Sequence, residues 1–177
     1  LFNRKIKSEE SKLITNSFFE IIIAPDFTND SLKILKNKKK LILINSSKIL
    51  KKEKSTTRSI RGGYLNQTID NKPINKKSFK TVSRKNKISK KEFSDILFAF
   101  KVVKHIKSNA IVLVKNKQTV GIGAGQMNRF DATRLALMKY KDNFKLRNFV
   151  CASDAFFPFT DSLELLFKNK CSCVVQP

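Results

Sequence analysis

Between Lys104 and Arg129 the sequence gathers residue types that could hold a polar ligand. Lys107-Ser108-Asn109-Ala110 makes a polar corner after an apolar, helix-like stretch. Ile111 to Lys115 and Thr119 to Gly123 read as two short strands joined by a turn. Gly121, Gly123 and Gly125, three glycines in five positions, then lead to Gln126 and Arg129. Glycine has no Cβ to block a ligand and adopts positive φ at little cost, so such a loop lets backbone come close to a bound molecule. Polar side chains at the corners and apolar ones in the strands favour a binding site over plain scaffold.

The elements that must position this corner follow from apolar periodicity. Phe93, Ile96, Leu97, Phe100, Val103 and Ile106 recur at three- and four-residue steps, so Glu92 to Ile106 is predicted as a helix packing one face on a sheet. A second helix is expected over Asp131 to about Asn143, just past Arg129, followed by a strand at Phe149 to Ala152. Asp161-Ser162-Leu163-Glu164 has the acid-x-x-Glu form of a helix start, with Leu163, Leu166 and Phe167 on the buried side, and Cys171 to Val175 reads as a last strand.

Upstream, Leu1 to Ser17 is polar and basic and reads as a helix remnant or loop. Phe18 to Ala24 suits a buried strand, Asp30 an acidic cap on a short helix through Leu35, and Leu41 to Ile44 a second buried strand. Strand, helix, strand suggests a parallel pair joined by a crossover. Between Asn45 and Lys91 the pattern weakens, apart from a glycine turn at Arg61-Gly62-Gly63 entering a strand to Ile69. The alternation makes an α/β chain.

The net charge of +23 would ordinarily point to nucleic acid, and a basic nucleic-acid-binding module is the main alternative reading. Against it, the lysines are scattered from Lys5 to Lys170 among Asn, Ile and Phe, a bias that AT-rich codons produce, with no RNA- or zinc-finger motif to organise them. Runs such as Lys36 to Lys40 and Lys48 to Lys54 are then solvated faces or loops. Cys151, Cys171, Cys173 and the single histidine have neither disulfide-framework nor zinc spacing, and no His-x-Glu or Pro-Cys-x-x-Cys pattern of a zinc deaminase occurs. Reduced thiols in a cytoplasmic protein, with no membrane span, are the expectation. The chain starts at Leu1 without an initiator Met and is read as an internal piece of a longer protein.

Three segments carry a family resemblance. Lys107-Ser108-Asn109-Ala110, Gly121-Ile122-Gly123-Ala124-Gly125-Gln126 with Arg129, and Ser153-Asp154-Ala155-Phe156-Phe157-Pro158-Phe159 with Asp161 closely resemble the signature segments of the AICAR transformylases. These form one half of a bifunctional purine biosynthesis enzyme whose other half is an IMP cyclohydrolase. Phe19 to Phe27 and Leu32 to Leu43 resemble the family more weakly. The resemblance implies a three-layer cytidine-deaminase-like α/β fold without the deaminase metal ligands, incomplete at both ends. Within one partial domain over 1–177 it implies a strand–helix–strand unit at 18–44, a loosely matched connection at 45–91, and a substrate- and folate-binding region at 92–177.

The implied activity is transfer of a formyl group from 10-formyltetrahydrofolate to the weakly nucleophilic ring amine of AICAR, which needs positioning, a base and oxyanion donors. By resemblance Asn109, Arg129 and Phe156 contact AICAR, and Phe130 and Asp161 contact the folate. An amide can donate to a carboxamide or formyl oxygen, and a guanidinium suits phosphate or carbonyl groups. The plainer alternatives are a turn Asn, a solvated Arg, packing for Phe130 and a helix cap for Asp161. Some relatives hold a structural monovalent cation, K+, near the positions of Ser108 and Asp154; a plain loop hydrogen bond is the alternative for each. Relatives are homodimers with shared sites. The family's catalytic Lys-His pair is not Lys104-His105, because it lies far upstream of the Lys-Ser-Asn motif, so no catalytic residue is assigned here. Thr160 stands where relatives often have Arg, which alters the local charge.

Overall fold

Ile111, Val112, Leu113 and Val114 are all fully buried, which a strand achieves only when both of its faces are covered. They belong to β5 (Ile111–Lys115) in a computed structural model that describes residues 1–48, 54–83, 88–144 and 148–177. The chain falls into two compact units, Leu1–Asn71 and Lys72–Pro177.

In the second unit β5 pairs antiparallel with β6 (Gln118–Gly123) and with β7 (Phe149–Ser153), and β7 pairs parallel with β8 (Cys171–Val175). The sheet order is β6-β5-β7-β8. Alternate residues of β5 serve opposite cores. Val112 and Val114 meet Ile96, Ala99 and Val103 of α3 (Lys90–Val103), whereas Ile111 and Leu113 meet Ala132, Ala136 and Leu137 of α4 (Arg129–Asn143) and Leu166 of α5 (Asp161–Lys168). Helices therefore cover both faces. Each such buried aliphatic side chain contributes up to about 1.5–3 kcal/mol.

Helix α3 starts earlier than its apolar stripe suggested. Ser89 caps it by accepting the Glu92 N–H at 3.2 Å, while the Glu92 carboxylate accepts the Ser89 N–H at 3.1 Å, a reciprocal capping box. The helix ends at Val103, so Ile106 packs from the following turn, where His105 is exposed. The β5–β6 turn at Asn116 and Lys117 has φ of 52° and 56°, the left-handed pair of a tight hairpin. The Asp95 carboxylate, almost fully buried on α3, accepts both of their N–H groups at 3.0 and 2.7 Å. It ties helix to hairpin.

In the first unit β1 (Ile21–Ala24) and β2 (Ile42–Asn45) are parallel neighbours on either side of α2 (Asn29–Leu35) in sequence. Helix α1 (Ser8–Thr15) packs on α2, with the buried Ser11 and Ser31 hydroxyls 2.7 Å apart. Three expectations are corrected here. The cap of α2 is Thr28, whose hydroxyl accepts the Ser31 N–H; Asp30 lies in the first turn. Leu41 to Ile44 is not a buried strand, since Ile42 is 55% exposed. Nor is the start of the Phe18 run, because Phe18 is 85% exposed and the strand begins at Ile21. The glycine turn proves to join two strands, β3 (Ser55–Ile60) and β4 (Gly63–Thr68), an antiparallel hairpin exposed along nearly its whole length.

Lys36 to Lys40 forms a largely exposed turn after α2; of the Lys48 to Lys54 run, residues 49–53 lie outside those described. In α5, Leu166 is fully buried but Phe167, expected on the buried side, is 52% exposed. Among the described residues no helix is long and apolar enough to cross a membrane, and no group of His, Cys, Asp and Glu is arranged to hold a metal ion.

Candidate functional site

Asn128, Arg129 and the loop before them are aimed by the end of the β5–β6 hairpin. The Asn128 carboxamide caps α4 by accepting the Asp131 N–H at 2.7 Å, which starts the helix at Arg129 and turns that side chain toward the sheet end. Of the three loop glycines, two serve packing and not a ligand. A Cβ on Gly121 or Gly123 would collide with the carbonyl oxygens of Ala136 and Ala132, so these residues let β6 lie against the backbone of α4. Only Gly125 has positive φ, 64°, and open space beside it apart from the Lys107 side chain. The expectation that all three open the backbone to a ligand is thereby narrowed to one.

Arg129 is the centre of the corner. Its side chain is 9% exposed, and Nη1 donates to Ser153 Oγ at 2.7 Å and to Asp154 Oδ1 at 2.5 Å. Nη2 donates to Asn109 Oδ1 at 3.0 Å. Nε–H has no acceptor among the described residues, and the guanidinium carbon lies 6.0 Å from the Phe157 ring centroid, at the outer limit of a cation–π contact. The glycine loop and the Phe-Pro-Phe segment therefore meet at one residue.

Asn109 is held as firmly. Its Nδ2 donates to the carbonyls of Gln126 at 2.9 Å and Met127 at 3.3 Å, and its backbone N–H donates to Gln126 O at 3.2 Å. The peptide bond between Ser108 and Asn109 is cis. Because Arg129 donates to Oδ1, the amide can face only one way. Both its donor and acceptor sides are engaged by the protein, so Asn109 as placed holds the loop, and donation to a ligand calls for exchange of the longer Met127 contact.

Asp154 closes the network: Oδ1 also accepts the Ala110 N–H at 3.0 Å, and Oδ2 accepts the Ser108 hydroxyl. Burial pushes the Asp154 carboxyl up, but the hydrogen bonds from Ser108, Arg129 and Ala110 and the arginine charge outweigh it and hold it below the ordinary range. This donor set does not suit a monovalent cation at Ser108 and Asp154: the carboxylate is already neutralised by Arg129, and the serine hydroxyl is turned into it as a donor.

The remaining candidates stand outside the hydrogen-bonded cluster. Phe130 is half-buried on the first turn of α4, Phe156 is 64% exposed, and Asp161 is exposed and accepts the Ser162 N–H at 2.6 Å. Thr160 donates to Glu164 at 3.0 Å. Of the Phe-Pro-Phe wall only Phe157 packs against the core, its N–H donating to Gln176 Oε1 at 2.9 Å, while Phe159 is exposed. A cavity of about 750 Å3 lies elsewhere in this unit, between α3, α5 and β8, and none of the candidate residues lines it. Two participants had no role assigned from sequence: Ser153, and the backbone N–H of Ala110. Ser153 sits in the Ser-Asp pair that ends β7, a polar break after an apolar strand, and that was the available signal.

Comparison with known proteins adds an independent line. Residues 1–139 match the AICARFT/IMPCHase bienzyme family. The chain is 43% identical over 178 aligned residues to the bifunctional purine biosynthesis protein PurH of Prochlorococcus marinus subsp. pastoris, covering 99% of this chain and 34% of that protein. It is 43% identical over 178 residues to PurH of Wigglesworthia glossinidia brevipalpis and 40% identical over 177 residues to PurH of Aquifex aeolicus, with the same coverage. The chain thus spans about a third of the length of the curated relatives it matches.

Proposed function

Since the chain belongs to the AICARFT/IMPCHase bienzyme family, we propose that it supplies part of the substrate- and folate-binding wall of an AICAR transformylase acting in de novo purine synthesis. The observation that carries this reading is the Arg129–Asn109 hydrogen bond at 3.0 Å, together with the bonds from Arg129 to Ser153 and Asp154. They draw three segments that are far apart in sequence into one polar corner. A nucleotide base with carboxamide and amine groups is recognised by fixed donors and acceptors of this kind, because a misplaced polar group leaves a buried partner unsatisfied.

In this reading Arg129 meets AICAR through the N–H groups that Ser153, Asp154 and Asn109 leave unbonded, Asn109 keeps the loop and guanidinium in register, and the exposed ring of Phe156 covers the flat face of the base. Phe130 and the exposed carboxylate of Asp161 meet 10-formyltetrahydrofolate; a carboxylate accepts two hydrogen bonds from an aminopyrimidine edge. Helices on both faces of the four-stranded sheet suit a three-layer cytidine-deaminase-like fold. The domain division expected from the sequence and a homodimer with shared sites belong to the same reading. The catalytic Lys-His pair of the family has no counterpart in this sequence, so the chain provides binding and positioning without the base.

Calorimetric titration of the 177-residue chain with AICAR tests the proposal. Binding that Arg129→Ala and Phe156→Ala each weaken about tenfold or more is expected, with no formyl transfer by the chain alone. Absence of AICAR binding refutes the nucleotide role; robust turnover refutes the assignment of the base elsewhere.

A further inference from the structure

Resting on that nucleotide reading, we propose that Asp154 is the positioning residue of the corner: at the end of β7 it sets the direction of Arg129 and, through Arg129, the carboxamide of Asn109.

Several observations lead there. Arg129 and Asp154 side chains are 9% and 13% exposed, and the pair is joined at 2.5 Å. Little water reaches it, so the ionic hydrogen bond is stronger and more directional than a surface pair. Asp154 itself cannot turn, because Ala110 N–H holds one oxygen and the Ser108 hydroxyl the other. Its backbone is fixed as well, by donation of the Asp154 N–H to Ala110 O at 3.3 Å.

Ser153 removes the remaining freedom. Its hydroxyl hydrogen is given to Ala155 O at 2.7 Å, so the oxygen presents lone pairs to Arg129 Nη1. With Nη1 held by two acceptors, Nη2 points at Asn109 Oδ1, and the Asn109 amide then has its donors directed at Gln126 O and Met127 O. The sequence of contacts runs from β7, through α4, to the corner and back to the glycine loop. An uncharged side chain of the same shape at position 154 would keep the packing but release the guanidinium, and a released guanidinium no longer dictates which way the Asn109 amide faces. The loss would fall on the orientation of the groups that meet the nucleotide, with the positive charge itself retained.

The test uses the full 177-residue chain, with AICAR as the titrant and side-chain NMR of Arg129. In the unsubstituted chain the Arg129 Nη–H signals are expected to exchange slowly with water; in Asp154→Asn they are lost. Asp154→Asn is expected to weaken AICAR binding about tenfold or more, yet to change it by less than about twofold in an Arg129→Ala background, since it acts through that residue. Ser153→Ala, which leaves the ion pair in place, should give a smaller loss that also disappears without Arg129; if Asp154→Asn does not fold, Asp154→Glu, which keeps the charge but displaces it by one methylene, decides the matter by the same comparison with and without Arg129. Unchanged affinity in the folded variant overturns the proposal, as does an equal loss with and without Arg129, which is the pattern of a merely structural role. If the unsubstituted chain does not bind AICAR, the nucleotide reading fails; the Arg129 signals still decide whether Asp154 orients the guanidinium.

Discussion

Gly123 on β6 lies so close to Ala132 on α4 that a single methyl group would run into the Ala132 carbonyl oxygen. The same holds for Gly121 against Ala136, one helical turn further on. Strand and helix therefore touch backbone to backbone, and this contact sets where α4, and so Arg129, begins relative to the sheet.

Gly123→Ala must push α4 away or bend β6, and overpacking of a filled interface costs about 1–3 kcal/mol. Gly125→Ala puts a Cβ into open space and pays mainly for its positive φ, about 1 kcal/mol. Denaturant unfolding of the two variants should rank Gly123→Ala as the less stable. Equal stability would mean that β6 and α4 are not in this contact.

Asp95 is the second device that holds the hairpin. Its two oxygens take the N–H groups of Asn116 and Lys117, a turn whose second residue is a lysine in the left-handed region and not the glycine such turns favour. Asp95→Ala should cost about 1–3 kcal/mol, at the lower end because both turn residues are exposed and water can reach the released N–H groups. Hydrogen exchange at those two amides gives a local check: they should be protected in the unsubstituted chain and open in the variant.

These features mark how far sequence reasoning reached. The stripe from Phe93 to Val103 reveals α3 because packing on a sheet demands a periodic face, and the apolar run at 111–114 reveals β5 for the converse reason, burial on both sides. The start of α3 was not read from that stripe, because the Ser89–Glu92 capping box that sets it is polar and leaves no apolar period. Strand β3 was not, since Ser55 to Ile60 is exposed throughout and carries no buried face to impose a pattern. At the site, the motifs named segments that meet at Arg129. They could not say which neighbour each residue serves: a glycine reads the same whether it faces a ligand or a helix carbonyl, and Arg129 and Asp154, 25 residues apart, share no local signal.

The Glu92 carboxyl of the capping box titrates below its ordinary value, chiefly through its hydrogen bond from the Ser89 hydroxyl and then that from the Ser89 N–H. A carboxyl that is more acidic when folded adds stability above its unfolded pKa, about 4.3, and that contribution is lost as pH falls from there through the folded value. Asp154 acts in the same direction. Denaturation midpoints should hold steady from pH 7 to 5 and fall below about pH 4.5. Glu92→Gln should lower the midpoint at pH 7 and flatten the acid limb; an unchanged limb would mean the box does not persist in solution.

The three cysteines should be inert toward alkylation in the folded chain. Burial pushes the Cys171 thiol up to about 12, raises Cys151 well above its ordinary value, and raises the half-buried Cys173 as well. The thiolate is the reactive form, so at pH 8 almost none is present at Cys151 and Cys171, which are closed to reagent besides, and less than at an ordinary thiol is present at Cys173. Iodoacetamide labelling followed by mass spectrometry should therefore be slow for all three without denaturant, with Cys173 the first to react, and fast and uniform once the chain is unfolded. Fast labelling of Cys151 under native conditions would contradict the burial of β7 in the centre of the sheet, and with it the placement of Ser153 and Asp154 that Arg129 depends on.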